Sequence, residues 1–143
     1  MKIKKIKQII LFLLLIFIPN QVIADKDFFS SGEDFYQNKN YKKAKIQFEK
    51  DIVFNPKSEK SYLYLAKIFK IEKKIILEEN NLKTVILLNP KNEEAIYQLA
   101  LLNIQNSNFS KTKELIENLK KVCKNLCSST NKLQEKLDIL LKK

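Results

Sequence analysis

The feature that most constrains the fold of this chain is a repeat of 34 residues. Two dipeptides, Asn55-Pro56 and Asn89-Pro90, are separated by this interval, and a small residue recurs with it as Gly32, Ala66 and Ala100. Bulky apolar or aromatic residues recur in three further series, which are Phe28, Tyr62 and Ile96, then Tyr41, Ile75 and Phe109, then Phe48, Leu82 and Ile116. A fixed period of this length indicates stacked supersecondary units of one kind.

Three consecutive segments, residues 25–58, 59–92 and 93–126, carry this pattern, which resembles the tetratricopeptide repeat family. The first segment matches the spacing of the family at Phe28, Gly32, Phe35, Ala44, Phe48 and Pro56. The second has Glu78 where the family has a small residue, so we expect its two helices to lie slightly further apart. The third departs from the family at Asn103, Thr112 and Lys124. The resemblance implies an all-α, right-handed solenoid of three helix-turn-helix repeats in one domain, residues 25–143.

Local signals predict seven helices. Asn55-Pro56 and Asn89-Pro90 end two of them, because proline cannot donate to the helical ladder and disfavours helical geometry in the residue before it. Asn38-Lys39-Asn40 is predicted to be a turn with an asparagine in the left-handed conformation. A helix is predicted to begin after Ser58 or Ser61, and we expect one of these serines to cap it. Asn92 is expected to cap the helix that begins at residue 93. The other predicted helices span residues 27–37, 41–54, 73–88, 93–105, 109–122 and 129–141, the last being a capping helix that closes the solenoid.

The first 24 residues are predicted to be a signal peptide. Four lysines precede an unbroken apolar run over residues 9–18, and Val22-Ile23-Ala24 supplies the small residues of a cleavage site. The residue directly after Ala24 is Asp25 and not a cysteine, which argues against a lipoprotein. We expect a periplasmic or secreted protein that begins near Asp25. An uncleaved membrane anchor is the alternative, although the apolar run is shorter than the roughly 20 residues that a spanning helix needs.

The charge of the chain is basic, yet its composition argues against nucleic acid as the partner. The full chain has a net charge of +11, and without the four lysines of the leader it has 23 basic and 16 acidic residues, or +7. Every basic residue is lysine, whereas readers of nucleic acid use the bidentate guanidinium of arginine. Lysine-rich surfaces also attract acidic polymers or anionic lipid in a way that salt weakens.

The residue inventory predicts neither enzymatic activity nor a cofactor. The chain has no His, which removes the commonest general base and metal ligand, and a single Gly, which excludes a glycine-rich phosphate loop. Two Cys alone cannot complete a four-ligand zinc site. Adjacent acidic pairs such as Glu93-Glu94 do not face each other on a helix and are expected to be solvated.

Cys123 and Cys127 are the one remaining chemical feature. In an oxidising compartment they are expected to form a structural disulfide between the last repeat and the capping helix. The alternative is a redox-active dithiol, although Cys-x-x-x-Cys is one residue longer than the usual redox motif.

The resemblance also implies where a partner binds, because the first helix of each repeat lines a concave groove in the family. The groove residues would be Phe29, Glu33, Tyr36, Leu63, Lys67, Lys70, Tyr97, Leu101 and Ile104. We expect the apolar members to be exposed there, with packing between repeats as the alternative role of each. The positions at which some family members clamp a terminal carboxylate with Lys and Asn carry other residues here, namely Phe29, Glu33, Tyr64, Glu94 and Gln98.

These observations predict an exported, non-enzymatic module that binds a protein or peptide in its groove. Apolar groups beside Lys67 and Lys70 suit an extended peptide or a helix with acidic character. Two alternatives stay open, a periplasmic thiol-disulfide protein that uses Cys123 and Cys127, and an assembly factor that its N-terminal segment holds at the membrane.

Overall fold

A computed structural model describes residues 27–142 of the chain, which fold into helices and short turns with no strand among them. The predicted signal peptide and the predicted N-terminus at Asp25 lie outside the described residues. The seven helices are α1 (Phe28–Gln37), α2 (Tyr41–Phe54), α3 (Glu59–Ile71), α4 (Ile75–Leu88), α5 (Glu93–Gln105), α6 (Phe109–Val122) and α7 (Cys127–Leu141). None of them has the length and apolar character that a membrane-spanning helix needs.

The helices stack in chain order. Each packs against the next one, and α5 also contacts α7. The connections are only three or four residues long, so neighbouring helices run antiparallel. Pairs α1–α2, α3–α4 and α5–α6 are the three repeats, and α7 covers the end of the stack. The prediction of an all-α solenoid is confirmed.

Three apolar clusters form between successive repeats and hold the stack together. Each cluster takes its buried residues from at least two repeats, or from the last repeat and α7. The first contains Ala44, Phe48, Leu65, Ile68 and Phe69; the second Ala66, Leu82, Val85, Ala95, Leu99 and Leu102; the third Ala100, Ile104, Ile116, Leu133 and Leu137. No repeat therefore buries its apolar face alone, which is the reason that several must stack.

The turns inside the repeats share one backbone conformation, in which one residue is left-handed. The prediction that this residue is an asparagine was wrong. Lys39, Lys73 and Ser107 have φ of 57°, 57° and 56°, whereas we expected an asparagine in the left-handed region. Asn38 and Asn40 are instead the caps of the helices on either side. The left-handed residue lets the next amide reach back over the helix end, as when the N–H of Asn40 donates to the carbonyl of Phe35 at 2.8 Å.

Helix starts follow local capping where a suitable side chain is present. The Oδ1 of Asn92 accepts a hydrogen bond from the N–H of Ala95 at 2.8 Å, which confirms its predicted role as a cap. Ser58 stands at the start of α3 but makes no capping bond, and its hydroxyl donates to the hydroxyl of Ser61 at 3.1 Å. Ser61 in turn donates to a carboxylate oxygen of Asp51 on α2. These serines link two repeats rather than cap a helix.

The start of α7 was predicted two residues too late. The helix begins at Cys127 because Glu93, far away in sequence, secures the turn before it. One carboxylate oxygen of Glu93 accepts hydrogen bonds from the N–H of Asn125 at 3.0 Å and of Leu126 at 2.9 Å. These bonds, the one from Leu126 above all, lower the pKa of Glu93 from its ordinary value.

The start of α4 also differs from the prediction. The helix begins at Ile75 rather than at Lys73, because Lys73 is the left-handed residue of the turn.

The two helices of the first repeat approach closely at Gly32. A Cβ atom on this residue would lie 2.6 Å from Cε1 and 2.8 Å from Cδ1 of Phe48. The Phe48 ring is fully buried and stacks against Tyr64 with 4.8 Å between centroids, so it has little room to move. A methyl group at residue 32 would therefore push α1 and α2 apart.

We predict that Gly32→Ala destabilises the protein. Alanine normally stabilises a helix interior by about 0.5–1 kcal/mol relative to glycine, but overpacking against Phe48 should outweigh this gain and cost about 1–3 kcal/mol. Urea unfolding followed by circular dichroism measures the change, with Ser30→Ala on the exposed side of the same helix as the control. A Gly32→Ala variant more stable than wild type would show that the two helices do not meet at this point.

Candidate functional site

A pocket of about 290 Å³ lies where the first helices of the three repeats meet. Four residues predicted for the groove line it together, Tyr36 from α1 and Leu63, Lys67 and Lys70 from α3. The remaining lining residues are Ala66, Ile71, Glu78, Leu82 and Gln98. The structure thus brings the centre of the predicted groove together as a concave surface that crosses all three repeats.

The two lysines of the pocket are held by partners on α5. Nζ of Lys67 lies 2.8 Å from Oε1 of Glu94, and Nζ of Lys70 donates to Oε1 of Gln98 at 2.5 Å. Both contacts join the second repeat to the third across the groove. The lysines are therefore positioned, but each already has an oxygen partner within the chain.

Aromatic rings cluster between the first and second repeats beside the pocket, but only Tyr36 lines it; the predicted groove residues Phe29 and Glu33 do not. Tyr36 meets Tyr64 edge to face with 5.0 Å between ring centroids. The hydroxyl of Tyr64 donates to Oε1 of Glu33 at 2.8 Å. Burial and this bond to a carboxylate raise the pKa of Tyr64 to about 12, so it is a neutral hydrogen-bond donor at physiological pH. Phe29 packs beside them with its ring centroid 5.9 Å from that of Tyr64.

The predicted groove residues of the third repeat do not line the pocket. Ile104 is only 6% exposed and belongs to the cluster that α7 covers, so the expectation that it is open to solvent was wrong. Tyr97 and Leu101 are half-buried and pack against the same cluster. Tyr97 also borders a second, shallower pocket of about 500 Å³ together with Glu93 and Asn125. α7 explains these differences, because it packs against α5 as well as α6.

Solved structures resemble this helical stack closely, at low sequence identity. The first TPR domain of Spaghetti (RPAP3), bound to the HSP90 peptide SRMEEVD, gives a TM-score of 0.71 at 17% identity, over 81% of this chain and 91% of that one. The type III secretion chaperone SycD of Yersinia enterocolitica, in complex with a peptide of the translocator YopD, gives 0.73 at 15% identity, over 81% and 92%. The TPR domain of Sgt2 from Aspergillus fumigatus gives 0.68 at 14% identity, over 81% and 80%.

The chain has the tetratricopeptide-repeat fold. No protein-family model matches its sequence, and no curated protein sequence matches it either. Because the identity to each of these structures is 17% or less, the similarity shows the fold alone, and the partner has to be inferred from the groove itself.

The groove residue that the sequence analysis missed in this TPR domain is Glu78. It stands at the first-turn position of α4 that the family fills with a small residue, and it is only 5% exposed. Its carboxylate has no hydrogen bond or ion pair among the described residues, although it lines the pocket with Ala66 and Leu82. Burial raises its pKa above the ordinary value of 4.5, while the charge of Lys70 partly opposes the rise. The departure from the family pattern was visible in the sequence, but its position on the groove was not.

Large apolar side chains on the other face of this TPR domain also escaped prediction. Those that are most exposed lie on the second helices of the first two repeats, away from the pocket. They are Val53, Phe54, Ile76 and Leu87, which are 73–81% exposed. Exposed apolar residues were expected in the groove, whereas the most exposed ones lie on α2 and α4.

The two cysteines lie at the end of the stack. Cys123 follows α6 and Cys127 begins α7, with 5.3 Å between their Cα atoms and 2.12 Å between their sulfur atoms. This is the spacing of a disulfide that spans the turn between the last repeat and α7. Elsewhere in residues 27–142, no three Cys, Asp or Glu side chains converge in a way that could hold a metal ion.

We predict that Glu78→Ala stabilises the domain by about 0.5–2 kcal/mol at pH 7, because it removes a buried, unpaired carboxylate and restores the small residue of the repeat. The gain should shrink as the pH falls toward 4. Folding raises the pKa of Glu78, so the folded state binds the proton more tightly and the wild type gains stability as the pH falls through the raised value toward 4.5. Urea unfolding at both pH values measures this.

The matched control for that experiment is Glu79→Ala. Glu79 is the next residue on the same helix, does not line the pocket and pairs with Lys83 at 2.6 Å. Equal effects of the two substitutions, or a gain for Glu78→Ala that does not depend on pH, would show that Glu78 is not desolvated in the folded protein.

Proposed function

We propose that this protein is a non-enzymatic binding module that holds a peptide or a helix of a partner protein in its concave groove. The observation that carries the proposal is the pocket that Tyr36 of the first repeat, three residues of the second (Leu63, Lys67 and Lys70) and Gln98 of the third line together. A concave surface with apolar walls and a few placed polar groups is typical of sites that bind a ligand. Two of the similar structures, those of Spaghetti and SycD, hold peptides, which supports a peptide as the ligand class.

The charge of the groove suggests how such a segment is oriented. We propose that carboxylates of the partner contact Lys67 and Lys70. Because Lys67 is paired with Glu94 at 2.8 Å, an acidic residue of the partner would replace or share an existing ion pair. Such an exchange gains little affinity and mainly fixes the register of the segment, so binding should weaken moderately as salt rises.

We further propose that the module acts outside the cytoplasm, in the periplasm or as a secreted protein. The support is the signal-peptide pattern of residues 1–24 together with a cysteine pair at bonding distance. If residues 1–24 were not cleaved, they would instead hold the module at the membrane. A redox role for the cysteines would require that the pair be readily reduced.

Site-specific photocrosslinking tests the groove. A benzoyl-phenylalanine in place of Ile71, which lines the pocket and is 47% exposed, should form adducts with a partner protein in the cells that produce the module. The same group in place of Leu87, which is 81% exposed on α4 and does not line the pocket, is the matched control. Mass mapping of the adduct then identifies the bound segment.

The comparison decides between the two faces of the solenoid. Adducts from residue 71 that are absent at residue 87 support binding in the groove. Adducts from residue 87 alone would contradict the proposal and assign binding to the exposed apolar residues of α2 and α4.

Intact mass of the protein isolated from its native compartment tests export and cysteine pairing together. We expect the mass of residues 25–143 less two hydrogens, because the leader is removed and Cys123 and Cys127 are oxidised. A mass that includes residues 1–24 would favour the anchored alternative, and free thiols would contradict a structural disulfide. Cys123→Ser with Cys127→Ser should fold but lose about 2 kcal/mol on the chain-entropy model of so short a loop.

A further inference from the structure

The pocket is lined by one carboxylate, that of Glu78, which the described part of the chain leaves without a partner. Glu78 is 5% exposed and makes no hydrogen bond or salt bridge within residues 27–142. Every fully buried side-chain nitrogen or oxygen in those residues has a hydrogen-bond partner. The oxygens of Glu78 are therefore not sealed inside the protein; they are reached through the pocket. A buried carboxylate in this position is costly unless something pairs with it.

The other charged groups around the pocket do not supply that pairing. Lys67 is held by Glu94 on α5, and Lys70 is held by Gln98. The positive charge of Lys70 lowers the pKa of Glu78 through space, but the two side chains do not form a hydrogen bond. An approaching ligand thus meets one carboxylate with unused acceptor capacity and two lysines whose ammonium groups are already engaged.

The walls of the pocket suit an aliphatic chain. Leu63, Ala66 and Leu82 contribute apolar surface to the pocket that Glu78 also lines, and Tyr36 adds an aromatic ring. Arginine and lysine combine an apolar stem with a cationic head that needs an acceptor. A pocket of about 290 Å³ has room for one such side chain.

We propose that this pocket binds one basic side chain of the partner, with its aliphatic stem between Leu63 and Leu82 and its cationic head on the carboxylate of Glu78. The proposal rests on the proposed function, since it names a feature of the segment that the groove would hold. It makes Glu78 the residue that selects which position of a bound segment is basic. A segment with acidic residues beside this position would place them near Lys67 and Lys70.

The test uses n-butylguanidinium chloride as a probe of the arginine side chain and carboxyl-selective NMR of the protein at pH 7.5. We expect the side-chain carboxyl resonance of Glu78 to shift and saturate as the probe is added. The probe should bind Glu78→Gln about tenfold or more weakly, because a charge-assisted hydrogen bond is lost. Glu79→Gln, which removes the same charge one residue away and outside the pocket, should bind as wild type does. Butylammonium in place of butylguanidinium distinguishes lysine from arginine as the preferred side chain.

Equal binding to Glu78→Gln and wild type, or a shift at Glu79 as large as that at Glu78, would overturn the proposal. Sodium chloride at matched ionic strength separates specific binding from screening. The test does not depend on the partner. If the groove crosslinks a partner but the probe does not bind at Glu78, this inference fails and the proposed function stands. If the probe binds at Glu78 but no groove crosslink forms, the proposed function fails, and the pocket is a site for a basic group without a bound partner segment.

Discussion

The structure depends on a close contact between a residue with little or no side chain on the first helix of a repeat and a large apolar residue on the second. Gly32 and Phe48 make this contact in the first repeat, where a single added methyl group would overlap the ring. The equivalent pairs in the next two repeats, which are Ala66 with Leu82 and Ala100 with Ile116, recur at the 34-residue interval and lie in the second and third core clusters. Close approach of the two helices gives each repeat its shape, and repetition of that shape turns a sequence period into a stacked solenoid.

The groove follows from the same constraint, because it lies where the first helices of the three repeats come together. Glu78 departs from the pattern at the first turn of α4, and the pocket lies beside it. A small residue at this position would stabilise the fold and remove the carboxylate. Proteins accept such local losses of stability at sites that bind or react, which supports the proposal that Glu78 contacts a bound segment.

Much of the fold was predictable because its signals are local and repeated. The Asn-Pro dipeptides end α2 and α4 where expected, and the bounds of α2, α5 and α6 were predicted without error.

The features that were not predicted depend on contacts between residues far apart in sequence. α7 begins two residues earlier than expected because Glu93 binds the turn before it, and Ile104 is buried because α7 packs over α5. The left-handed residue of each turn is set by its distance from the helix end, which is why Lys39 and not an asparagine occupies it. The repeat register was enough to predict four of the residues that line the pocket, Tyr36, Leu63, Lys67 and Lys70. The ion pair between Lys67 and Glu94 could not be predicted, because it depends on where α5 packs.

The most direct test of this account is a set of nuclear Overhauser effects across the three helix pairs in the folded protein. The account predicts strong cross-peaks from the α-protons of Gly32 to the ring of Phe48, and between the methyl groups of Ala66 and Leu82 and of Ala100 and Ile116. Because the three contact pairs recur at intervals of 34 residues, these cross-peaks together would establish the repeat register in solution. A helical protein that lacks these cross-peaks, or that pairs Gly32 with a residue other than Phe48, would contradict the account.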